Sequence, residues 1–485
     1  AMTRKSLTLS LLVPSMLSAE QPNVLLIAFM GLCAVCSRAA AEKQPNIVLL
    51  YADDAGYNDF GFQGSRHFQT PHLDRLAASG VVLKQFYMSA CVCGPSRAGM
   101  LTGQYQQRFG FEENNVPGIM SASGALGEDM GLPLHLPTMG DHLKKLGYRT
   151  AIFGKWHLGV ADRYHPTKRG FDEFVGFRGG ARSYFAYAPG KAPSRGHQLE
   201  RGFGHFQEHE GYLTNVLADE ACAFIERNRD RPFFAYVSFN AVHSPMHADP
   251  ADKDAFPELQ GRRRQVAQMA LSLDRACGRI LDKLEALGLR ENTLVVFTND
   301  NGGPTFGNRS SNYPLSGVKA THLEGGIRVP CIVSWPARFK AGTTYEPPAS
   351  SLDLLPTFFA AAQGDISTLD DLDGVDLEPY LSGSKSGCPH QTLYWKMELR
   401  GTIRDGDWKL LRSPDRPAEL FNLAEDPAEQ RNLAQSHPER VRAMFKKLHD
   451  WELELERPLF QLRRQEGALW QRLYDEYRKP PPASF

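Results

Sequence analysis

The chain has 485 residues and a mass of 54.1 kDa, a length that accommodates two or three domains, or one large α/β domain with an appendage. Apolar residues at 42% and charged residues at 23% exclude a disordered, collagenous or disulfide-scaffold chain. Lys+Arg and Asp+Glu each number 55, so the formal net charge is zero and the basic excess of a nucleic-acid-binding protein is missing.

In chain order, residues 1–41 come first. Arg4 and Lys5 precede apolar runs at Leu7–Leu17 and Val24–Cys36, and Ala39-Ala40-Ala41 offers small residues for cleavage. The segment reads as an export signal, with Ala19 as an earlier alternative to Ala41 for the cut. Each run is shorter than the ~20 residues of a spanning helix, which favours a periplasmic or secreted protein over a stable membrane span. Six cysteines then remain, at 91, 93, 222, 277, 331 and 388.

Residues 42–388 form the first body, expected to be catalytic. Continuous apolar runs at 47–52, 150–153, 233–239, 294–297 and 331–335 suit strands buried on both faces. Helical patterns at 71–79, 138–146, 212–227 and 262–287 alternate with them, and 352–362 reads as the last helix of this part. The expectation is an α/β fold with a large, mostly parallel sheet flanked by helices. Residues 389–485 form a smaller α+β unit. Short, turn-separated strands at 392–395, 401–404, 408–411 and 419–421 predict an antiparallel sheet, and 438–456 a charged helix packed on it.

Polar residues follow four of the strands: Asp53-Asp54, Lys155-Trp156-His157, Asn240 to His243, and Asp300-Asn301. Ligands of open α/β sheets bind at the carboxyl ends of strands. One such Asp is usually a turn residue or helix cap; four strand ends bearing carboxylates, a lysine and histidines point to a site. Asp53, Asp54, Asp300 and Asn301 offer only oxygen ligands, which suit Ca²⁺ or Mg²⁺ rather than zinc.

The segment Cys93-Gly94-Pro95-Ser96-Arg97-Ala98-Gly99-Met100-Leu101-Thr102-Gly103 matches the signature of the type I sulfatases, Cys-x-Pro-Ser-Arg-x-x-x-Leu-Thr-Gly. A second signature stands at Gly147-Tyr148-Arg149-Thr150-Ala151-Ile152-Phe153-Gly154-Lys155-Trp156-His157, and a third match spans Gly317-Val318-Lys319 and Glu324-Gly325-Gly326-Ile327-Arg328-Val329-Pro330. From Gln44 to about Leu433 the chain resembles this formylglycine-dependent family of the alkaline-phosphatase-like superfamily.

The resemblance implies that Cys93 is oxidised to Cα-formylglycine by a separate maturation enzyme. Its hydrate would attack sulfur with one hydroxyl and expel sulfate by deprotonation of the other. It further implies one calcium held by Asp53, Asp54, Asp300, Asn301 and residue 93. Arg97 would hold the residue-93 oxygen, and Lys155 would contact nucleophile and sulfate. His157 would take the proton that triggers sulfate release. His243 and Lys319 would bind sulfate, one of them protonating the leaving oxygen.

Substrate selectivity is expected from loops 109–119 and 177–187, with Glu113, Asn114, Arg178, Arg182, Tyr184 and Phe185, and from loop 304–313 with Arg309 and Asn312. Such residues suit a sulfated carbohydrate, with small aryl sulfates turned over poorly. A single Asn-x-Ser/Thr sequon, at Asn308, leans towards a bacterial exported enzyme rather than a lysosomal one. The rivals are a general arylsulfatase, a phosphonate or phosphodiester hydrolase of the same superfamily, and, if Cys93 stays unconverted, a silent anionic-glycan-binding protein.

Overall fold

A computed structural model describes residues 43–482, so the expected export signal at 1–41 lies outside the described residues. From Gln44 onward the chain packs as one compact unit. Nine strands make its main sheet: β1 (Asn46–Ala52), β2 (Val81–Leu83), β3 (Arg149–Lys155), β4 (Glu173–Phe177), β5 (Glu200–Arg201), β6 (Phe233–Ser238), β7 (Thr293–Asn299), β8 (Cys331–Ser334) and β9 (Thr343–Tyr345). Their spatial order is β9-β2-β8-β7-β1-β6-β3-β4-β5.

The central strands β7, β1, β6, β3 and β4 run parallel. β1 is buried along its whole length, and its residues alternate between two cores. Val48, Leu50 and Ala52 face the helices α1 (Pro71–Ala78), α4 (Leu213–Arg227) and α5 (Gly261–Ala286). Ile47, Leu49 and Tyr51 face α2 (Cys93–Thr102), α3 (Met139–Lys145) and α6 (Leu354–Ala361). Each fully buried Leu, Val or Phe on these faces contributes about 1.5–3 kcal/mol.

Two strands depart from the parallel direction: β8 runs antiparallel to both β7 and β2, and β5 antiparallel to β4. An apolar run reports burial and not direction. Parallel pairing needs a crossover that returns the chain to the starting edge, and between β7 and β8 only single turns at Thr305–Asn308 and Glu324–Ile327 are helical. The short strands β2, β5 and β9, with β4, went unpredicted from the sequence.

Helix α2 also carried no helical signature. Its sequence holds two glycines and a proline, and all ten residues are buried, so no polar face marks a period. Pro95 sits in the first turn, where a missing N–H is tolerated, and Gly103 ends the helix at φ 68° with its N–H on Gly99 O at 2.8 Å.

The C-terminal part forms the expected antiparallel sheet: β10 (Thr392–Met397), β11 (Arg400–Asp405), β12 (Trp408–Arg412) and β13 (Glu419–Asn422), in that order. Helix α7 (Pro438–Glu452) packs Met444, Leu448 and Trp451 onto Ile403, Leu410 and Leu420. A further helix, α8 (Arg464–Glu476), places Tyr474 against Phe421 and Leu423. Among the described residues no helix is long and apolar enough to cross a membrane.

A buried ionic joint ties this sheet to the main body. Lys409 Nζ lies 2.8 Å from Glu324 Oε1 and 2.9 Å from Glu429 Oε1, all three side chains fully buried. Tyr87 OH donates to Glu324 Oε2 at 2.7 Å, and the Glu324 N–H donates to Glu429 Oε2 at 2.7 Å. Burial pushes Glu429 up, while Lys409, Arg328 and Arg404 hold Glu324 low against the same effect. Removing the cation strands the buried Glu429 carboxylate and leaves Glu324 only Arg328 at 3.5 Å, so Lys409→Met should cost about 3–5 kcal/mol in urea unfolding. Lys409→Met with wild-type stability would show that the joint carries no load.

Candidate active site

The sheet delivers its charged residues to one edge. Asp53 and Asp54 follow β1, Asp300 and Asn301 follow β7, Lys155 ends β3 with His157 two residues on, and Ser238 ends β6 ahead of His243. Cys93 opens α2, and Arg97, one turn later, shares its face. Lys319 arrives on the loop before Glu324. All the sequence-predicted metal and reaction residues converge here.

Lys319 Nζ lies 3.0 Å from Cys93 Sγ and 2.6 Å from Asp54 Oδ1. Cys93 Sγ is 3.8 Å from Asp53 Oδ1, whose other oxygen accepts from Lys155 Nζ at 2.6 Å. Arg97 donates to Asp300 Oδ2 at 2.9 Å and to Ser238 Oγ at 2.6 Å, and its guanidinium carbon lies 5.0 Å from the Tyr51 ring centroid. His243 Nδ1 donates to Ser244 O at 2.6 Å, and its Nε2 lies 3.4 Å from Asp54 Oδ2. Tyr184 OH donates to the carbonyls of Asn240 and His243, at 2.5 and 2.9 Å, and so holds the segment that presents this histidine.

These neighbours set the protonation states. Burial and then Asp300 push Asp53 up against Lys155 and Arg97. Burial opposes ionisation of Asp300 and Asp54 as well, but Arg97 and Lys155 hold Asp300 low, and Lys319 and His243 hold Asp54 low. Burial raises the Cys93 thiol to about 12, against Lys155 and Lys319. Burial lowers both histidines: His157 well below its usual value, helped by Lys155 and Arg97, and His243 to about 4 although Asp54 opposes.

The donor set can hold a cation, and its hard oxygen donors are Asp53, Asp54 and the free Oδ1 of Asn301. Single ligand atoms of Asp53, Asp54, Cys93 and His243 lie within 4.8 Å of one another. Asn301 donates through Nδ2 to Asp54 Oδ1 at 2.7 Å, while its buried Oδ1 has no hydrogen-bond partner among the described residues. With Nδ1 donating to Ser244, a neutral His243 presents a lone pair to Asp54 Oδ2, and two acceptors 3.4 Å apart call for a shared proton or cation.

The backbone is shaped around this centre. Asp54 and His157 adopt positive φ, 61° and 57°, which costs non-glycine residues about 1–3 kcal/mol. Asn308 donates to Asp54 O at 2.9 Å and braces that turn. The same contact accounts for the lone sequon: its amide is buried and bonded in the folded chain. A Cβ at Gly180 would sit 2.6 Å from His157 Nε2, so only glycine lets the loop after β4 cross that imidazole.

Cys93, His157 and His243 line a cavity of about 550 Å³. Of the sequence-predicted substrate residues, Asn114 and Arg178 also line it. Asn114 Oδ1 accepts from the Gly94 N–H at 2.7 Å and braces the start of α2. Glu113 is buried outside the lining, its carboxyl raised to about 8 by burial. Arg182 turns from the cavity to Glu208 at 2.6 Å. No residue of loop 304–313 lines the cavity; Asn312 accepts from Gly303 N–H at 2.9 Å and holds the backbone after Asn301. Sequence reading missed Ser238, which orients Arg97, and the cavity residues Arg195 and His197. Ser238 carried no more signal than any strand-end serine, whereas Arg195 and His197 were visible as a basic pair in a loop.

Comparison with known proteins gives a consistent result. The family model described as Sulfatase matches residues 45–364, and that described as N-sulphoglucosamine sulphohydrolase, C-terminal, matches residues 319–456. The chain is 34% identical over 430 residues to steryl-sulfatase of Mus musculus, covering 73% of this chain and 68% of that one. It is 32% identical over 475 residues to arylsulfatase A of Homo sapiens, covering 85% and 89%. The crystal structure of Ps i-CgsB in complex with k-i-k-neocarrahexaose superposes with a TM-score of 0.81 at 32% identity, covering 90% of this chain and 100% of that one.

Calorimetric titration with Ca²⁺ should register one ion per chain, and Asn301→Ala should weaken binding at least about tenfold. Unchanged affinity in that variant would remove Asn301 from the ligand set.

Proposed function

The chain belongs to the sulfatase family, and we propose that it releases sulfate from a sulfated saccharide, with residue 93 matured to formylglycine and one calcium ion beside it. The family members it resembles are sulfuric ester hydrolases, and this chain is one. The observation that carries the finer reading is the place of Cys93: it lines the cavity, with Lys319 Nζ 3.0 Å and Asp53 Oδ1 3.8 Å from its Sγ, and burial pushes its thiol up, towards the protonated, weakly nucleophilic form. Conversion of residue 93 to an aldehyde hydrate would replace the inert thiol with a hydroxyl nucleophile. A calcium ion held by Asp53, Asp54, Asp300 and Asn301 would offset the carboxylates and polarise a sulfate oxygen.

The chain's own residues supply the rest. Lys155 and Lys319 bring positive charge to where the sulfate oxygens gather charge in the transition state. Both are pre-positioned on buried carboxylates and need little reorganisation. Arg97 is fixed by Asp300 and Ser238, and it adds positive potential beneath residue 93. Neutral His157 is suited to take the proton from residue 93 that drives sulfate out. Lys319, 3.0 Å from the reacting atom, or His243 gives a proton to the leaving oxygen.

A saccharide substrate is supported by the cavity, far larger than a sulfate group needs, and by the hexaose ligand of a similar structure. Export through residues 1–41 belongs to the same reading; N-terminal sequencing of protein recovered outside the cytoplasm tests it. The phosphonate or phosphodiester alternative would show as phosphate rather than sulfate release.

Mass spectrometry of the peptide containing residue 93, from active protein, should show replacement of the thiol by an aldehyde. Cys93→Ala should lower sulfate release by at least about a thousandfold while retaining the melting temperature. Near-normal turnover in that variant would discard the mechanism. In a second measurement, kcat/KM for sulfated oligosaccharides should exceed that for 4-nitrophenyl sulfate, because remote contacts lower the barrier. Efficient aryl turnover with no sugar sulfate released across a broad panel would leave a general arylsulfatase.

A further inference from the structure

Besides the reaction residues, three fully ionic side chains line the main cavity: Glu128, Arg178 and Arg195. Arg178 is already neutralised. Its Nε and Nη2 donate to the two oxygens of Glu200, each at 2.7 Å, and its Nη1 to Asp162 Oδ1 at 2.7 Å, with the side chain 1% exposed. Glu128 is an exposed carboxylate, suited to accept hydrogen bonds from sugar hydroxyls.

Arg195 differs from both. Its side chain is 39% exposed, and its Nη2 shares Asp162 Oδ1, an oxygen already accepting from Arg178. Its Nε and Nη1 make no hydrogen bond among the described residues. The guanidinium carbon lies 5.5 Å from the Phe206 ring centroid, an arrangement that supports the planar group and leaves edge donors uncommitted. Phe206 in turn lines a neighbouring cavity of about 330 Å³ with Tyr187 and Gln198. Arg195 therefore stands between the cavity that holds the reacting residues and a second one large enough for another sugar.

Its place is fixed. The Gly179 N–H donates to Gly196 O at 2.8 Å, and a Cβ at Gly179 would sit 2.8 Å from that same oxygen. Two glycines thus press the turn Arg195–His197 onto the segment after β4, whose Arg178 carbonyl accepts the His157 N–H at 3.1 Å. Arg195 is held at a constant offset from the reaction centre.

We propose that Arg195 is a specificity residue that reads a second anionic group, a sulfate or a carboxylate, on the saccharide whose scissile sulfate lies at residue 93. The proposal deepens the sulfatase reading and rests on it. The second N–H of Nη2, together with the uncommitted Nε or Nη1 beside it, forms a fork that matches such an oxyanion bidentately, whereas Arg178, the other arginine of the cavity lining, spends four of its five N–H groups on Glu200, Asp162 and Val160.

The test compares two disaccharides that differ only in a second sulfate, with 4-nitrophenyl sulfate as a substrate lacking remote groups. Wild-type enzyme should prefer the disulfated sugar. Arg195→Ala should reduce that preference by about ten- to a hundredfold, and Arg195→Lys, which keeps the charge but loses the fork, should restore part of it. Equal losses on all three substrates, or an unchanged preference, would overturn the assignment, as would a wild-type enzyme indifferent to the second sulfate. Calorimetry in the Cys93→Ala background gives a readout independent of turnover, in which Arg195→Ala should weaken binding of the disulfated sugar by the same factor. Arg195-dependent binding without sulfate release from any substrate would sink the sulfatase reading and keep the recognition; sulfate release indifferent to Arg195 would do the reverse.

Discussion

Six ionic side chains are packed together at the edge of the sheet: Asp53, Asp54 and Asp300 against Arg97, Lys155 and Lys319. Each ion taken from water carries a penalty of several kcal/mol, offset only when its partners are placed well. The three carboxylates balance the three cations in formal charge, and removing one member strands its partner in a low-dielectric surround. This balance is the constraint to which the neighbouring structure answers. It fixes where β1, β3 and β7 must end, because four of the six ions, Asp53, Asp54, Lys155 and Asp300, enter from those strand ends. It also explains why α2 is buried on every side, since Arg97 must reach Asp300 from a helix with no solvent face.

The cluster is held by a shell of neutral groups. Ser238 and Tyr236 turn hydroxyls to Arg97, Asn308 takes the Asp54 carbonyl, and Tyr184 clamps the Asn240–His243 turn. Strained φ values at Asp54 and His157 persist because these contacts over-determine them. These contacts hold the centre in one arrangement from several sides. A second buried joint, Lys409 with Glu324 and Glu429, anchors the far end of the Lys319 loop to the C-terminal sheet. Lys319 is thereby positioned from both sides, by Asp54 at its amine and by the joint five residues along.

Much of this was legible in the sequence. The buried strands announced themselves as apolar runs, and the four polar strand ends marked one edge, because burial on both faces and the geometry of parallel sheets leave direct traces in residue type. The antiparallel turn of β8 and the short edge strands left none, since pairing direction is decided by what connects the strands and by neighbours distant in sequence. Helix α2 was hidden by its complete burial. At the site, the residues that converge were singled out by the signature motifs that carry them and by their places at strand ends, since a lone histidine or lysine there would read as packing or as surface. Arg178 and Arg182 were expected to meet substrate, yet the structure shows their guanidiniums engaged by Glu200, Asp162 and Glu208. A side chain's partner, unlike its type, is a property of the fold.

That distinction separates the floor of the cavity from its wall. On the floor, every cation is bound to a carboxylate that the fold supplies, so charge there is fixed by the chain. On the wall, the loops 178–181 and 194–197 meet through the backbones of Gly179 and Gly196, while Asn114 and Arg178 are committed to partners of the chain. In this chain the wall presents an arginine with N–H donors left uncommitted, and the next anionic group along the substrate is what can complete its coordination.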